Sequence, residues 1–313
     1  MTDALLARIA DALERLSPPP PAPADPLAHP AYLWRNGVLA AARSFAPMPL
    51  GLLQGVDAQK HALVANMTRL AAGLPAHDVL LWGARGTGKS ALVKAGVGAV
   101  QEAGGDVALV EVAGDALAGL PALFATIADV PRAFALFIDD LGFAEPSEAP
   151  RLLRSMLEGG AEARPDNARL HVTSNRRHIV PRDIAEQDSA INPRDVADDK
   201  LALADRFGLS LGFHVVDQPT YLAMVERYAA AYALPFDPQD AIGWATQRGG
   251  RSGRVAWHYL VELAGRHGRT LSEALHGRGE RRDEPAQDEK SRRGGTIQRR
   301  AALSIRTISG GST

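Results

Sequence analysis

The stretch that most limits what this chain can fold into runs from Val79 to Ala95, VLLWGARGTGKSALVKA. Inside it Gly83, Ala84, Arg85, Gly86, Thr87, Gly88, Lys89 and Ser90 meet the pattern G-x-x-x-x-G-K-[ST] in full. The apolar run Val79 to Trp82 predicts a buried strand, and Ser90 to Val100 predicts a helix. A strand, a glycine-rich turn and a helix N-terminus are what a triphosphate cradle needs. Glycines let backbone N–H groups close on phosphate oxygens with no Cβ in the way, and the helix end adds partial positive charge. Lys89 is placed to reach the β- and γ-phosphates and the Ser90 hydroxyl to ligate Mg²⁺. The expected nucleotide contacts are Gly83 through Ala91.

Strands and helices then alternate. Val107 to Val112, Ala133 to Ile138, Arg169 to Asn175 and Leu209 to Val216 predict four further strands, with helices over Gln59 to Ala72, Leu117 to Ile127 and Ser147 to Glu158. This alternation argues for a five-stranded parallel sheet covered on both faces. Ala31 to Phe45 is expected as a short helix and Leu50 to Gly55 as an extended entry to the sheet. From Gln218 the pattern turns purely helical: Thr220 to Tyr232, Pro238 to Gln247, Arg254 to Arg266 and Leu271 to His276. Beyond Gly277 the chain carries mixed charge with almost no apolar residue, which predicts disorder. The expected division is 1–49, N-terminal helices and a proline-rich linker; 50–217, the nucleotide-binding αβα domain; 218–276, a helical lid; and 277–313, a charged tail.

Leu5, Leu6, Ile9, Leu13 and Leu16 form a helical stripe over residues 3 to 16, with Asp3 a plausible N-cap; it must dock on its own domain or on a partner. The prolines from Pro18 to Pro23 follow it as a spacer.

Binding is not hydrolysis, which also needs a held metal, an oriented water and a stabiliser for phosphoryl charge. Asp139 and Asp140 follow the third strand, and at the C-terminal edge of a parallel sheet they fall beside the phosphates. One would hold Mg²⁺ through water, and the next would orient the attacking water or accept its proton. The 313 residues carry a net charge of −1 and no cysteine, so disulfides, thiolate chemistry and cysteine zinc sites are excluded, and any affinity for nucleic acid must be a local patch. Acidic residues at positions 3, 11 and 14 are unlike a secretory leader, and no apolar run is long enough to span a membrane; a cytoplasmic protein is expected.

These residues carry a resemblance. From Leu50 to about His276 the chain resembles the AAA+ ATPases, and more closely a bacterial family of AAA+ ATP-binding proteins of undefined physiological role. The stretches that carry it are LLWGARGTGKSALVKA, the Asp139-Asp140-Leu141-Gly142-Phe143 run, TSNRRH, DKLALADRFGLSLGF and GGRSGRVAWHYL. The resemblance implies a P-loop αβα sandwich with a helical lid, ATP and Mg²⁺ as cofactors, and hydrolysis that remodels or loads a partner not identified by the sequence. It assigns Asp139 to the metal and Asp140 to the place of a catalytic glutamate, one methylene shorter. Asn175 becomes the polar sensor, Arg206 an arginine finger acting in trans within a homo-oligomer, and Arg254 the second sensor. Plainer readings remain: Arg206 paired with Asp199 or Asp205, Arg254 on a helix surface, Asn175 as a strand-end turn residue. The shortened Asp140 leaves open an ATP-dependent switch with little hydrolysis. Arg176-Arg177-His178 leaves open a nucleic-acid-associated loader. Ala113 to Leu117 carries no aromatic residue, which disfavours polypeptide threading. His171 and the tryptophans Trp82, Trp244 and Trp257 are expected in the core.

Overall fold

Seven strands form one sheet in the computed structural model, which describes residues 22–141, 164–175 and 206–271 together with Leu5, Leu6, Arg8, Leu153, Met156 and Leu157. Met1–Thr270 is one unit and Leu271–Thr313 a second, of which Leu271 alone is described. The elements in chain order are β1 (Ala31–Arg35), β2 (Val38–Ala41), α1 (Asp57–Ala71), β3 (Val79–Gly83), α2 (Lys89–Glu102), β4 (Val107–Val112), α3 (Leu120–Ile127), β5 (Ala133–Ile138), β6 (Ala168–Ser174) and β7 (Leu209–Phe213). Three helices follow: α4 (Gln218–Ala231), α5 (Pro238–Gln247) and α6 (Gly253–Arg266). The sheet order is β2-β1-β4-β5-β6-β3-β7, parallel except for the β1–β2 pair.

The five expected strands are all present. The sheet is wider than expected because residues 31–41 are a hairpin, not the helix that their composition suggested. Asn36 and Gly37 turn it with φ of 52° and 73°, the left-handed pair a two-residue hairpin turn requires. Leu50–Leu52 is a 3₁₀ turn rather than extended chain, and a second 3₁₀ turn, Gly114–Gly119, precedes α3.

Two apolar layers sandwich the sheet. On one face α3 (Leu120, Leu123, Ile127) packs on Leu80, Val110, Phe134 and Leu136. On the other, α1 and α2 bring Leu63, Met67, Leu92 and Val93 against Val79, Leu81, Leu109 and Phe137. Strands buried on both faces explain why β5 reads as an unbroken apolar run and β4 as one interrupted by Glu111 alone. Each late helix has a side-chain N-cap: Asp217 accepts from Thr220 N–H at 2.9 Å, Asp237 from Gln239 N–H at 2.9 Å and Ser252 from Val255 N–H at 3.2 Å.

The stripe helix of residues 3 to 16 beyond Leu5, Leu6 and Arg8, the prolines before Ala22, most of Ser147 to Glu158, the basic cluster at 176–178, Asp199, Asp205 and the tail from 277 lie outside the described residues. Among the described residues no helix is long and apolar enough to cross a membrane.

Candidate nucleotide site

Strand β3 ends at Gly83, whose φ is 132° and where a Cβ would stand 2.0 Å from the Phe213 carbonyl oxygen of β7. Glycine is therefore the residue that lets the chain leave the sheet there. Gly86, at φ 75°, faces Ser252 so closely that a Cβ would lie 2.9 Å from its Oγ. The start of α6 thus rests on the loop, and Arg254 N–H donates to the Gly86 carbonyl at 3.1 Å. The Thr87 hydroxyl donates to the Ala84 carbonyl at 2.8 Å, which folds it inside the turn.

Lys89 opens α2 and is buried. Its ammonium donates to the carbonyls of Gly83 and Ala84 at 3.0 and 2.8 Å and to Asn175 Oδ1 at 3.0 Å. Burial pulls its pKa below the ordinary lysine value, and the carboxylates of Asp140 and Asp139 oppose that shift. The Ser90 hydroxyl donates to Asp139 Oδ1 at 2.6 Å, and Asn175 Nδ2 donates to Asp140 Oδ1. One hydrogen-bonded set therefore joins the loop, the end of β5 and the end of β6.

These groups border a cavity of about 340 Å³, within the size range of small-ligand sites, roughly 300–1,000 Å³. Its polar lining includes Lys89, Ser90, Asp139, Asp140, Asn175 and Arg254. Its apolar lining is Met48, Leu53, Tyr228 and Trp257, so Trp257 faces the cavity rather than the core. Of the expected loop contacts, Gly86, Gly88, Lys89, Ser90 and Ala91 line it. Gly83 and Ala84 act on it through the carbonyls that hold Lys89, Thr87 is turned inward, and Arg85 is exposed.

Arg206 is not among the residues that line this cavity. It precedes β7, whose first residue, Leu209, pairs with Val79 at the beginning of β3. The phosphate loop leaves the opposite end of β3. A five-residue strand spans about 15 Å at ~3.3 Å per residue, so the two lie on opposite edges of the sheet, beyond the reach of one arginine side chain.

Sequence reasoning missed Thr173. Its hydroxyl donates to Asp139 Oδ1 at 2.6 Å and accepts from Asp140 N–H at 2.8 Å. The available signal was period-two spacing, which in a strand running on to Asn175 would set Thr173 on the same face as it. His171 is buried in the core as expected, but only Nδ1 finds a contact, the Arg169 carbonyl at 3.1 Å; Nε2 has no partner among the described residues. Burial lowers its pKa to about 4.

A hard cation suits the pair formed by the Ser90 hydroxyl and the Asp139 carboxylate, both oxygen donors at hydrogen-bond separation. No cluster of three or more His, Cys, Asp or Glu side chains able to hold a metal occurs among the described residues. Mg²⁺ needs none, since one or two carboxylates and substrate phosphates hold it.

Comparison with known proteins gives a family match over residues 27–267, to the family described as "Protein of unknown function (DUF815)". No curated protein matches the chain. Among solved structures, the Thermotoga maritima RuvB Holliday junction branch migration motor aligns at 16% identity over 74% of this chain and 70% of its own, with a TM-score of 0.45. The Aeropyrum pernix Orc1 protein in complex with DNA aligns at 18% identity over 72% of this chain and 64% of its own, with a TM-score of 0.49.

Proposed function

The chain belongs to the DUF815 family, and from that premise and the geometry of the site we propose that it is an AAA+ ATPase that binds ATP with Mg²⁺ and hydrolyses it to remodel or load a partner. The observation that carries this reading is Lys89. Its buried ammonium is held by two loop carbonyls and Asn175 at the border of a cavity that also presents Ser90, Asp139 and Asp140. The γ-phosphate would replace carbonyl and amide oxygens as acceptors for the ammonium. Arg254, placed by the contact between α6 and Gly86, would report the γ-phosphate to the helices.

Ser90 and Asp139 would hold Mg²⁺, which supplies charge neutralisation on the phosphate oxygens when bound. Asn175 and Asp140 would orient the attacking water. Its oxygen bonds to the γ-phosphorus, the bond to the β–γ bridging oxygen breaks, ADP leaves with that oxygen, and the water proton passes to the Asp140 carboxylate.

The position of Arg206 supports action in trans. A guanidinium that cannot reach the cavity of its own chain can serve a neighbour's, which makes an ATP-promoted homo-oligomer the functional unit. A switch with little hydrolysis is the alternative, favoured by the engagement of Asp140 with Asn175.

Steady-state phosphate release tests both. Wild type is expected to exceed Lys89→Ala clearly; equal near-zero rates together with measurable ATP binding would establish the switch. Arg206→Ala is expected to bind ATP and release little phosphate, and to regain release when mixed with Lys89→Ala, which donates the missing arginine. A mixture as inactive as its parts would sink the trans assignment.

A further inference from the structure

We propose that Thr173 is a positioning residue for hydrolysis, and that it is the reason an aspartate can stand at 140. The proposal rests on the ATPase reading of this site. Strands β5 and β6 run in parallel register as far as Ile138 opposite Val172. The next pair in that register would be Asp139 opposite Thr173, and there the chain leaves the ladder. Three successive residues are then tied to Thr173. Asp139 Oδ1 accepts from its hydroxyl at 2.6 Å, Asp140 N–H donates to that hydroxyl at 2.8 Å, and Leu141 N–H donates to its carbonyl at 2.9 Å. The side chain that does this is 1% exposed.

The consequence is visible in the backbone. Asp140 has φ of 50°, one of three non-glycine residues with positive φ among those described. Left-handed backbone is uncommon outside glycine, and aspartate tolerates it better than longer side chains. The turn directs the short Asp140 carboxylate onto Asn175 Nδ2, while Asn175 Oδ1 takes the Lys89 ammonium. Asn175 follows β6 directly, two residues after Thr173, so one strand end fixes both the backbone of the carboxylate and the amide that it meets. A glutamate on the same pinned backbone would carry its carboxylate one methylene past the place where Asp140 holds it. The hydroxyl thus acts through the two aspartates and touches no part of the substrate. Its removal should be felt in turnover, not in ATP affinity.

Thr173→Val keeps the shape and removes the hydroxyl. It is expected to bind a fluorescent ATP analogue within twofold of wild type, to unfold in urea close to the wild-type midpoint, and to lower kcat at least thirtyfold with KM little changed. Thr173→Ser, which restores the hydroxyl, should keep at least a third of the rate. Asp140→Glu alone should be slower than wild type by tenfold or more, and Asp140→Glu combined with Thr173→Ala should recover at least tenfold over it, because the freed backbone can seat the longer side chain. A Thr173→Val rate within twofold of wild type, a loss of ATP affinity in step with the rate, or an Asp140→Glu enzyme as fast as wild type would each overturn the proposal while leaving the ATPase reading intact. Wild-type phosphate release no greater than that of Lys89→Ala would overturn both.

Discussion

The two edges of the sheet treat polar groups in opposite ways. At the edge where β3, β5 and β6 end, Lys89, Asn175, Asp139, Asp140 and Ser90 bond to one another around a cavity, and every one of those bonds has an acceptor or donor that phosphate, metal or water can replace. At the edge where the strands begin, polar groups are locked into the fold. Buried Asp78 pairs with Arg164 and accepts from Leu170 N–H at 2.8 Å. Buried Asn66 accepts from His77 N–H at 2.9 Å and donates to its carbonyl at 2.8 Å. Asn167 donates to three carbonyls, those of Ile127, Val130 and Arg132, at 2.8 to 3.0 Å. One edge holds groups in exchangeable bonds; the other uses the same chemistry as fixed joints between loops. Arg206 lies at the second edge and is proposed to act at the first edge of another copy.

That contrast can be broken residue by residue. The largest stability effect belongs to Asp78→Ala, which leaves Arg164 and the Leu170 N–H without their acceptor. Loss of one partner from a largely buried pair costs about 3–5 kcal/mol, to be read as a lowered urea midpoint, while ATP affinity of the folded protein stays at the wild-type value. Lys89→Ala should do the reverse, abolishing ATP binding with little change in the midpoint. If Asp78→Ala lost ATP binding at full stability, the division of labour between the edges would be wrong.

His171 sharpens the comparison, since it sits in the sheet between the two edges. Its folded pKa of about 4 lies below the ordinary histidine value of 6.5. Above pH 6.5 both folded and unfolded states hold it neutral and it contributes no slope. As pH falls from 6.5 toward 4 the unfolded chain takes up a proton that the folded chain refuses, so stability falls, by an amount on the order of 3 kcal/mol. His171→Leu should flatten that part of the stability profile, and an unchanged profile would refute the assignment. The smallest effect is at Ser252. Ser252→Ala removes the cap of α6 and should cost about 1 kcal/mol, with a severalfold loss of ATP affinity, since the same turn places Arg254 beside Gly86. Equal ATP affinity in that variant would separate the helix cap from the nucleotide site.

Much of this was legible in the sequence because the signals were local. The phosphate loop declares itself in eight consecutive residues, and β4 and β5 are buried on both faces, so their apolar runs have sharp ends. The three late helices followed from the purely helical period after Gln218, although their caps Asp217, Asp237 and Ser252 were not read. The hairpin of residues 31–41 was harder. Its Ala and Leu content suits a helix, the Asn36-Gly37 pair was not read as a turn, and pairing with β4, nearly eighty positions later in the chain, decided the outcome. Thr173 was missed for a related reason. A threonine inside a strand satisfies β-propensity without comment, and its role exists only where β5 leaves the ladder beside it. Arg206 and Asn175 were legible as residue types in a familiar order, but that they occupy opposite edges follows from register alone.

One of the two outermost strands of this sheet, β2, has only one neighbouring strand, β1. Along its open side the Ala24 N–H donates to the Leu39 carbonyl at 2.8 Å, and the residue before Ala24 is a proline, which offers no N–H to a passing strand. An open strand edge is a template on which copies of a chain can stack without limit. In a protein proposed to assemble through a defined arginine contact, the strap at Ala24 blunts that competing, unbounded route along β2.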